Sequence, residues 1–349
     1  MSSGPMSREG TMLAVRVHEY GPPEVLRPEE VPVPRPGPGQ VLVEVEAVSV
    51  GFAQTQMRRD LFPAPMWRPT FPIVLGGDVV GVVAETGPGV EGVRPGDRVG
   101  AYTLHGAYAE YVVLDAASLV SVPEDLDAVR ATVLPGSGPI AMGTLGVADP
   151  RPGERVLVHA ASGGIGHLAV QLARLAGAGQ VIATAGSAAK RDFVRGLGAD
   201  VVVNYGEDGW AGRVREATDG AGVDVILDSV GGQVLRQGIG LLAPFGRLVF
   251  YGSSNGGLDI PHISPMELIG IKYVTGFALS AWRAARPDRY RTDHKLLVDY
   301  LRDGAVRDVV HVVLPLQQVA RAHEIIESRS HIGRVVLKVG RNADNRFPT

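Results

Sequence analysis

The 349-residue chain contains no cysteine. That absence removes disulfides, a thiol nucleophile and every thiolate metal site. Aromatic residues are sparse at 6%, and no apolar run reaches the roughly 20 residues of a membrane-spanning helix. Like charges never gather in a block and the formal net charge is −3, so neither nucleic acid nor a membrane surface is an expected partner. The nine histidines are scattered, with no pair at a helical ligand spacing, so no metal is expected. The first residues are polar and lack an apolar signal core. Residues 1–11 therefore read as a disordered extension, and a reducing cytoplasm is the default location.

What is present is a large apolar fraction, 45%, enough for real cores, and a length that suggests two domains. Residues 156–190 carry the strongest pattern. A hydrophobic strand, Val156–Ala160, runs into the turn Ala161-Ser162-Gly163-Gly164-Ile165-Gly166 and then a helix with apolar residues at 165, 168, 169, 172 and 175–176. A second strand, Gln180–Thr184, ends in Ala185-Gly186-Ser187-Ala188-Ala189-Lys190. Such a unit lays a pyrophosphate against a helix N-terminus, where unpaired N–H groups and the dipole favour negative charge. An acid after the second strand would bind a ribose 2′-hydroxyl. Ser187, Lys190 and Arg191 suit a 2′-phosphate instead, which makes NADPH the expected cofactor. The bland readings are an ordinary tight turn at the glycines and a solvated helix-face lysine at 190. The context repeats, with strands at 201–203, 223–227 and 247–251 and helices around 207–218 and 232–242, which implies a doubly wound parallel sheet.

Before residue 130 the texture changes. Short valine-rich runs at 12–17, 40–50, 76–86, 97–101 and 107–114 alternate with proline and glycine, and Pro32–Gly39 reads as a rigid connector. Val41, Val43, Val45 and Ala47 follow the period-two pattern of a half-buried strand. This describes a compact β-barrel-like unit. Beyond the parallel sheet, 269–277 reads as a strand and the charged stretch 282–293 leads to a helix at 294–303. Strands at 308–314 and 334–339 flank a helix near 317–328. Those last strands fit the N-terminal β unit better than the parallel sheet. A cleft between the two units is then the default small-molecule site.

These residues resemble the medium-chain dehydrogenase/reductase superfamily, in its zinc-free NADPH:quinone oxidoreductase, zeta-crystallin-like branch. The motifs that carry the resemblance are Pro22–Leu26, Pro38–Val43, Gly76–Val83, Gly96–Val99, Ala160–Gly166, Leu197–Asp200 with Asn204-Tyr205, Asp228–Gly232 and Ile332–Leu337. The resemblance implies an α/β chain. A GroES-like β-barrel domain would span 12–128, completed by 278–340, around a Rossmann NADPH-binding domain at 129–277. It implies a homodimer through the Rossmann sheet edge. It places Gly163, Gly164 and Ile165 at the pyrophosphate and Gly186, Ser187, Lys190 and Tyr205 around the 2′-phosphate. Ser229, Tyr251, Gly252 and Ser253 would follow the ribose and nicotinamide, with Phe277 nearby and Arg334 reaching the cofactor. Tyr205 could equally be a core-capping aromatic, and Arg334 a surface charge.

The chain departs from the family pattern at the reacting end. Gly51, Gln54 and Gln56 stand where asparagine, aspartate and tyrosine are usual, and Ile140 replaces a threonine of the pocket. Hydride transfer to an enone or quinone needs a positioned nicotinamide, a donor for the carbonyl oxygen and a proton. Gln56 is the candidate donor, with Tyr251 second; the plain alternative turns Gln56 to solvent. Phe62, Met66 and Trp67 form either an apolar wall for a flat substrate or loop packing. The expected function is NADPH-dependent reduction of quinones or activated C=C bonds without metal. A natural-product tailoring oxidoreductase and a weakly catalytic NADPH-binding sensor stand as alternatives.

Overall fold

The computed structural model of the chain describes residues 10–62, 67–254 and 261–340. Most of the expected extension, residues 1–9, and Met66 lie outside the described residues, while Thr11 already opens a strand. The first sheet begins with β1 (Thr11–Val17), β2 (Arg27–Pro32) and β3 (Gln40–Val50). Helix α1 (Phe52–Arg58) follows β3 at once. The sheet continues with β4 (Ile73–Thr86), β5 (Arg98–His105), β6 (Tyr111–Asp115) and the short β7 (Val120–Ser121). In β3 Val41, Val43, Val45 and Ala47 are all buried as the alternation predicts, with Glu44 exposed on the other face, but Leu42 on that face is buried too. From Ala47 to Val50 both faces are covered, and α2 and α10 are the helices that pack against this strand. The sheet curls into a GroES-like half-barrel. β2 was not expected: Pro28 and Pro32 with exposed charges disguise it, and it takes the edge place that proline tolerates.

The chain then crosses through α2 (Ala128–Ala131) and α3 (Ser137–Ala148) into elements that alternate strand and helix up to β12. These are β8 (Arg155–Val158), α4 (Gly166–Leu175), β9 (Gln180–Thr184), α5 (Ala188–Arg195) and β10 (Val201–Val203). After them come α6 (Trp210–Glu216), β11 (Val223–Asp228), α7 (Gly232–Leu241), β12 (Leu242–Phe250) and β13 (Tyr273–Gly276). All six strands are parallel, in the order β10-β9-β8-β11-β12-β13. That is the doubly wound Rossmann order, whose direction reverses between β8 and β11. Ligands of such sheets bind at the carboxyl ends of the strands beside that reversal. The expected strand at 269–277 shortens to β13.

The charged stretch 282–293 is helical, split between α8 (Leu279–Ala285) and α9 (Pro287–Arg302). Pro287 at the first turn of α9 explains the break, since its ring suits only a helix start. The chain returns through β14 (Val310–Pro315), α10 (Val319–Glu327) and β15 (Arg334–Lys338). β15 pairs antiparallel with β3, so the last strands do rejoin the first sheet. Among the described residues, no helix is long and apolar enough to cross a membrane.

Candidate active site

The turn between β8 and α4 is shaped for close approach. A Cβ on Gly166 would stand 2.4 Å from the Ala160 carbonyl oxygen and 2.7 Å from Ala161 Cα, so only glycine lets the helix begin against the strand. Gly163 N–H donates to the Ala160 carbonyl at 3.0 Å, and Ala160 itself holds a φ of 48°. Among the described residues the N–H groups of Gly164 and Ile165 have no acceptor. They are placed for a pyrophosphate at the helix N-terminus.

Arg334 braces this turn from behind. Its Cγ lies 3.3 Å from where a Gly164 Cβ would be. Its guanidinium donates to Asp308 Oδ1 at 2.8 Å, Asp308 Oδ2 at 2.6 Å, Thr132 Oγ1 at 2.6 Å and the Val129 carbonyl at 3.2 Å. Burial alone would raise the Asp308 carboxyl, but Arg334 outweighs it and holds that group well below the usual carboxylate range. The expectation that Arg334 reaches the cofactor is therefore corrected. Its donors are committed to a buried ion pair.

Other cations gather beside Gly186, at the end of β9. Ser187 caps α5 by accepting the Lys190 N–H, and the space beside Gly186 is open. Lys190 Nζ donates to the Arg329 carbonyl at 2.6 Å. Burial, then the Arg329 charge, lowers the Lys190 ammonium. Burial raises the Tyr205 phenol, with Arg329 opposing, so Tyr205, Lys190 and Arg329 share one corner. The Arg329 guanidinium donates to the Ser254 carbonyl and stacks over Phe52 at 5.7 Å. Arg191 turns back to the Gly186 carbonyl. Sequence reading missed Arg329, because it sits on the loop after α10 in no local motif. Its φ of 53°, strained for a side chain of this size, is the structural mark of a constrained position.

At the reacting end, Asp228 Oδ1 accepts the N–H groups of Val230 and Gly231 at 2.6 and 2.9 Å, and Ser229 O accepts the Ser254 N–H at 2.9 Å. Gly231 has φ 74°, and a Cβ there would meet Ser253 Oγ at 2.7 Å. Gly252 lies over Ser229, with its would-be Cβ 3.5 Å from the Ser229 carbonyl. The Tyr251 hydroxyl is buried beside Ser229 without a well-formed hydrogen bond. Burial pushes that phenol up to about 12, so it stays a protonated donor. Phe277 stands against Gly143 of α3, where a Cβ would fall 2.6 Å from its ring. Ile140, one turn before Gly143, is half-buried on the same helix.

Gln56 does not face solvent. Its Nε2 donates to the Ser253 carbonyl at 2.8 Å, tying α1 to the second sheet across the cleft. Gln54 Oε1 accepts the Gly51 N–H at 3.0 Å and caps α1, while its buried Nε2 has no partner among the described residues. Trp67 is only 5% exposed and packs with Phe62 into the core of the first sheet. Loop packing, not a substrate wall, is their place in this structure.

Residues 37–124 match the alcohol dehydrogenase GroES-like domain family, and residues 164–298 match the zinc-binding dehydrogenase family. The second description raises the question of zinc. The chain has no cysteine, and the described residues hold no group of three or more His, Asp or Glu able to bind a metal, so they do not fit that ion. A 2-haloacrylate reductase of Burkholderia sp is 35% identical over 331 residues, covering 93% of this chain and 98% of that protein. The Escherichia coli quinone oxidoreductase solved with NADPH is 30% identical with a TM-score of 0.85, covering 94% of this chain and all of that one. A mycobacterial protein, Rv1454c, also solved with NADPH, is 34% identical with a TM-score of 0.86 and covers 94% of this chain and 100% of that one. The chain thus belongs to the medium-chain dehydrogenase/reductase superfamily, in the branch of the quinone oxidoreductases.

Proposed function

We propose that the protein is an NADPH-dependent oxidoreductase that reduces quinones or the activated C=C bonds of α,β-unsaturated carbonyl compounds without a metal. The observation that carries this reading is the corner of Lys190, Arg329 and Tyr205 beside a second strand that ends without an acid. Two cations and a phenol suit a phosphate dianion, and the free N–H groups of Gly164 and Ile165 suit the pyrophosphate between it and the nicotinamide. Bound there, NADPH would supply a hydride at the Tyr251–Ser253 end of the cleft. The chain's own residues orient and shield. Ser229, Gly252 and Ser253 would hold the ribose, Phe277 would wall one side, and Ile140 would add an apolar surface. Tyr251, protonated at neutral pH, and the remaining N–H of Gln56 are the donors available to a carbonyl oxygen. The similarity to a haloacrylate reductase and to quinone oxidoreductases supports this substrate range.

The test is a titration of NADPH and NADH, followed by NADPH oxidation against a panel of quinones and enones. Wild type should prefer NADPH. Lys190→Ala should weaken NADPH by about 1.5–3 kcal/mol, roughly 10- to 150-fold, and leave NADH nearly unchanged. Equal use of both dinucleotides by the wild type would refute the assignment of Lys190.

The proposal extends to a homodimer. Met266, Ile269, Ile271, Tyr273 and Phe245 are exposed around β13, the edge strand of the parallel sheet. An apolar edge of that kind is self-complementary through a two-fold axis. Light scattering on Ile271→Asp beside the wild type tests it, with a shift from dimer to monomer expected.

A further inference from the structure

Between β3, β4 and the start of α3 lies a polar cluster that the proposed function leaves unused. Asp78 of β4 is 5% exposed and stands in a strand rich in buried valine. Its Oδ2 meets Ser49 Oγ at 3.0 Å, Ser137 N–H at 3.2 Å and Ser137 Oγ at 2.6 Å. Its Oδ1 has no hydrogen bond among the described residues. Gly136 makes room for that oxygen, since a Cβ there would stand 1.8 Å from it and 3.1 Å from the Tyr102 ring. Three elements therefore converge on one carboxyl, and one of them, α3, starts at Ser137 and carries Ile140 a turn later. Ser137 and Ile140 are both half-buried, whereas Gly138, Pro139 and Ala141 are fully covered, so this stripe of α3 is the open one. Gly143 continues the stripe and receives Phe277. Tyr102 is also approached by Gln54 of α1, the helix whose Gln56 bridges to Ser253. The carboxyl thus sits directly behind the open stripe of α3, with the hydroxyl of half-buried Ser137 against it.

We propose that Asp78, acting through Ser137 Oγ, replenishes and orients the proton that completes reduction of the carbonyl substrate. This inference rests on the reductase reading above. Hydride arriving at the β-carbon pushes the C=C electron pair toward the carbonyl and leaves an enolate oxygen. The Ser137 O–H bond breaks as an O–H bond forms on that oxygen, and its electron pair stays on Ser137 Oγ. That atom takes the Asp78 proton in the same movement. The remaining Asp78 carboxylate keeps its three donors, and one proton from water restores the acid. The geometry permits this because one proton is shared across the short Ser137–Asp78 contact. When Asp78 is the acid, it donates to Ser137 Oγ, and the serine proton turns to the cleft. Burial raises the Asp78 carboxyl against the opposing pull of Ser137, Arg334 and Ser49, which favours the protonated form. The titratable or charged groups facing it are Tyr102 from β5, Tyr290 from α9 and Arg334 from β15.

The experiment compares wild type, Asp78→Asn and Ser137→Ala by kcat across pH, by NADPH affinity and by infrared titration of the carboxyl C=O band. In the wild type, kcat should be high where Asp78 is protonated and fall as pH rises through its raised pKa. Asp78→Asn should lower kcat by roughly 100-fold or more, lose that alkaline limb and keep NADPH affinity. Ser137→Ala should lower kcat comparably while the Asp78 acid band persists. A wild-type kcat and pH profile in Asp78→Asn overturns the inference and leaves the reductase reading standing. If Asp78→Asn fails to bind NADPH, Ser137→Ala and the wild-type band decide: full activity in the first, or no titrating acid band in the second, overturns it. A wild type that binds NADPH yet reduces no quinone or enone overturns both.

Discussion

Arg329 and Arg334 lie five positions apart on the return from α10 to β15, yet they serve different ends. Arg334 faces Asp308 in the dry junction behind the glycine turn, whereas Arg329 turns outward over Phe52 beside Lys190. A basic residue near the C-terminus was legible as relevant to the cofactor; which of the two arginines meets a buried acid was not. The partner, Asp308, is on another segment, and burial alone decides that the pair must close. Arg334→Ala would leave that carboxylate buried without its cation, at a cost of about 3–5 kcal/mol. Urea unfolding should show the loss. Lys190 was readable because a short local pattern, strand then Gly186-Ser187, places it at the first turn of α5.

Elements with a strict period were the easiest to read. The alternating segments of the parallel sheet and β3 emerged nearly whole, since both their faces or one full face are buried. Where charge or proline covers the pattern, reading fails: the sequence marks no element at β2, and of α8–α9 only the part from 294 onward reads as helix. Trp67 is a case the sequence left open. Its bulk left a substrate wall and loop packing equally open, and the first sheet takes it as packing. Glycine turns sit between these cases. Gly166 was legible by motif, and the 2.4 Å clearance supplies its physical cause. Gly166→Ala must push α4 away from β8, which we expect to destabilise the fold by about 1–3 kcal/mol and weaken NADPH more than tenfold. Calorimetry and a fluorescence titration of the nucleotide measure the two effects.

At the scale of the whole molecule, the cleft is assembled from segments far apart in the chain. Gln56 and Ser253 are 197 positions apart, and Lys190 and Arg329 are 139 apart. Acid should weaken the assembly in a defined order. His323, buried and repelled by Arg58, is lowered to about 3, and His331, buried beside Lys190, to about 4. Each folds neutral, so its contribution is intact above the unfolded value of about 6.5 and is lost as pH falls toward the folded value. Asp308, held low by Arg334 despite its burial, adds loss in the same direction below about 3.9. The urea midpoint should therefore fall between about pH 7 and about pH 4.5, and His323→Gln should flatten the slope. The linear chain by itself determined the two-unit α/β architecture, the dinucleotide turn and the lysine beside it, because each follows from local spacing and a glycine's missing side chain. Only the tertiary structure decided that Arg334 is spent on Asp308, that Gln56 reaches Ser253 and that Asp78 is buried against Ser49 and Ser137. Those outcomes depend on burial and on contacts between distant segments, which no local pattern encodes.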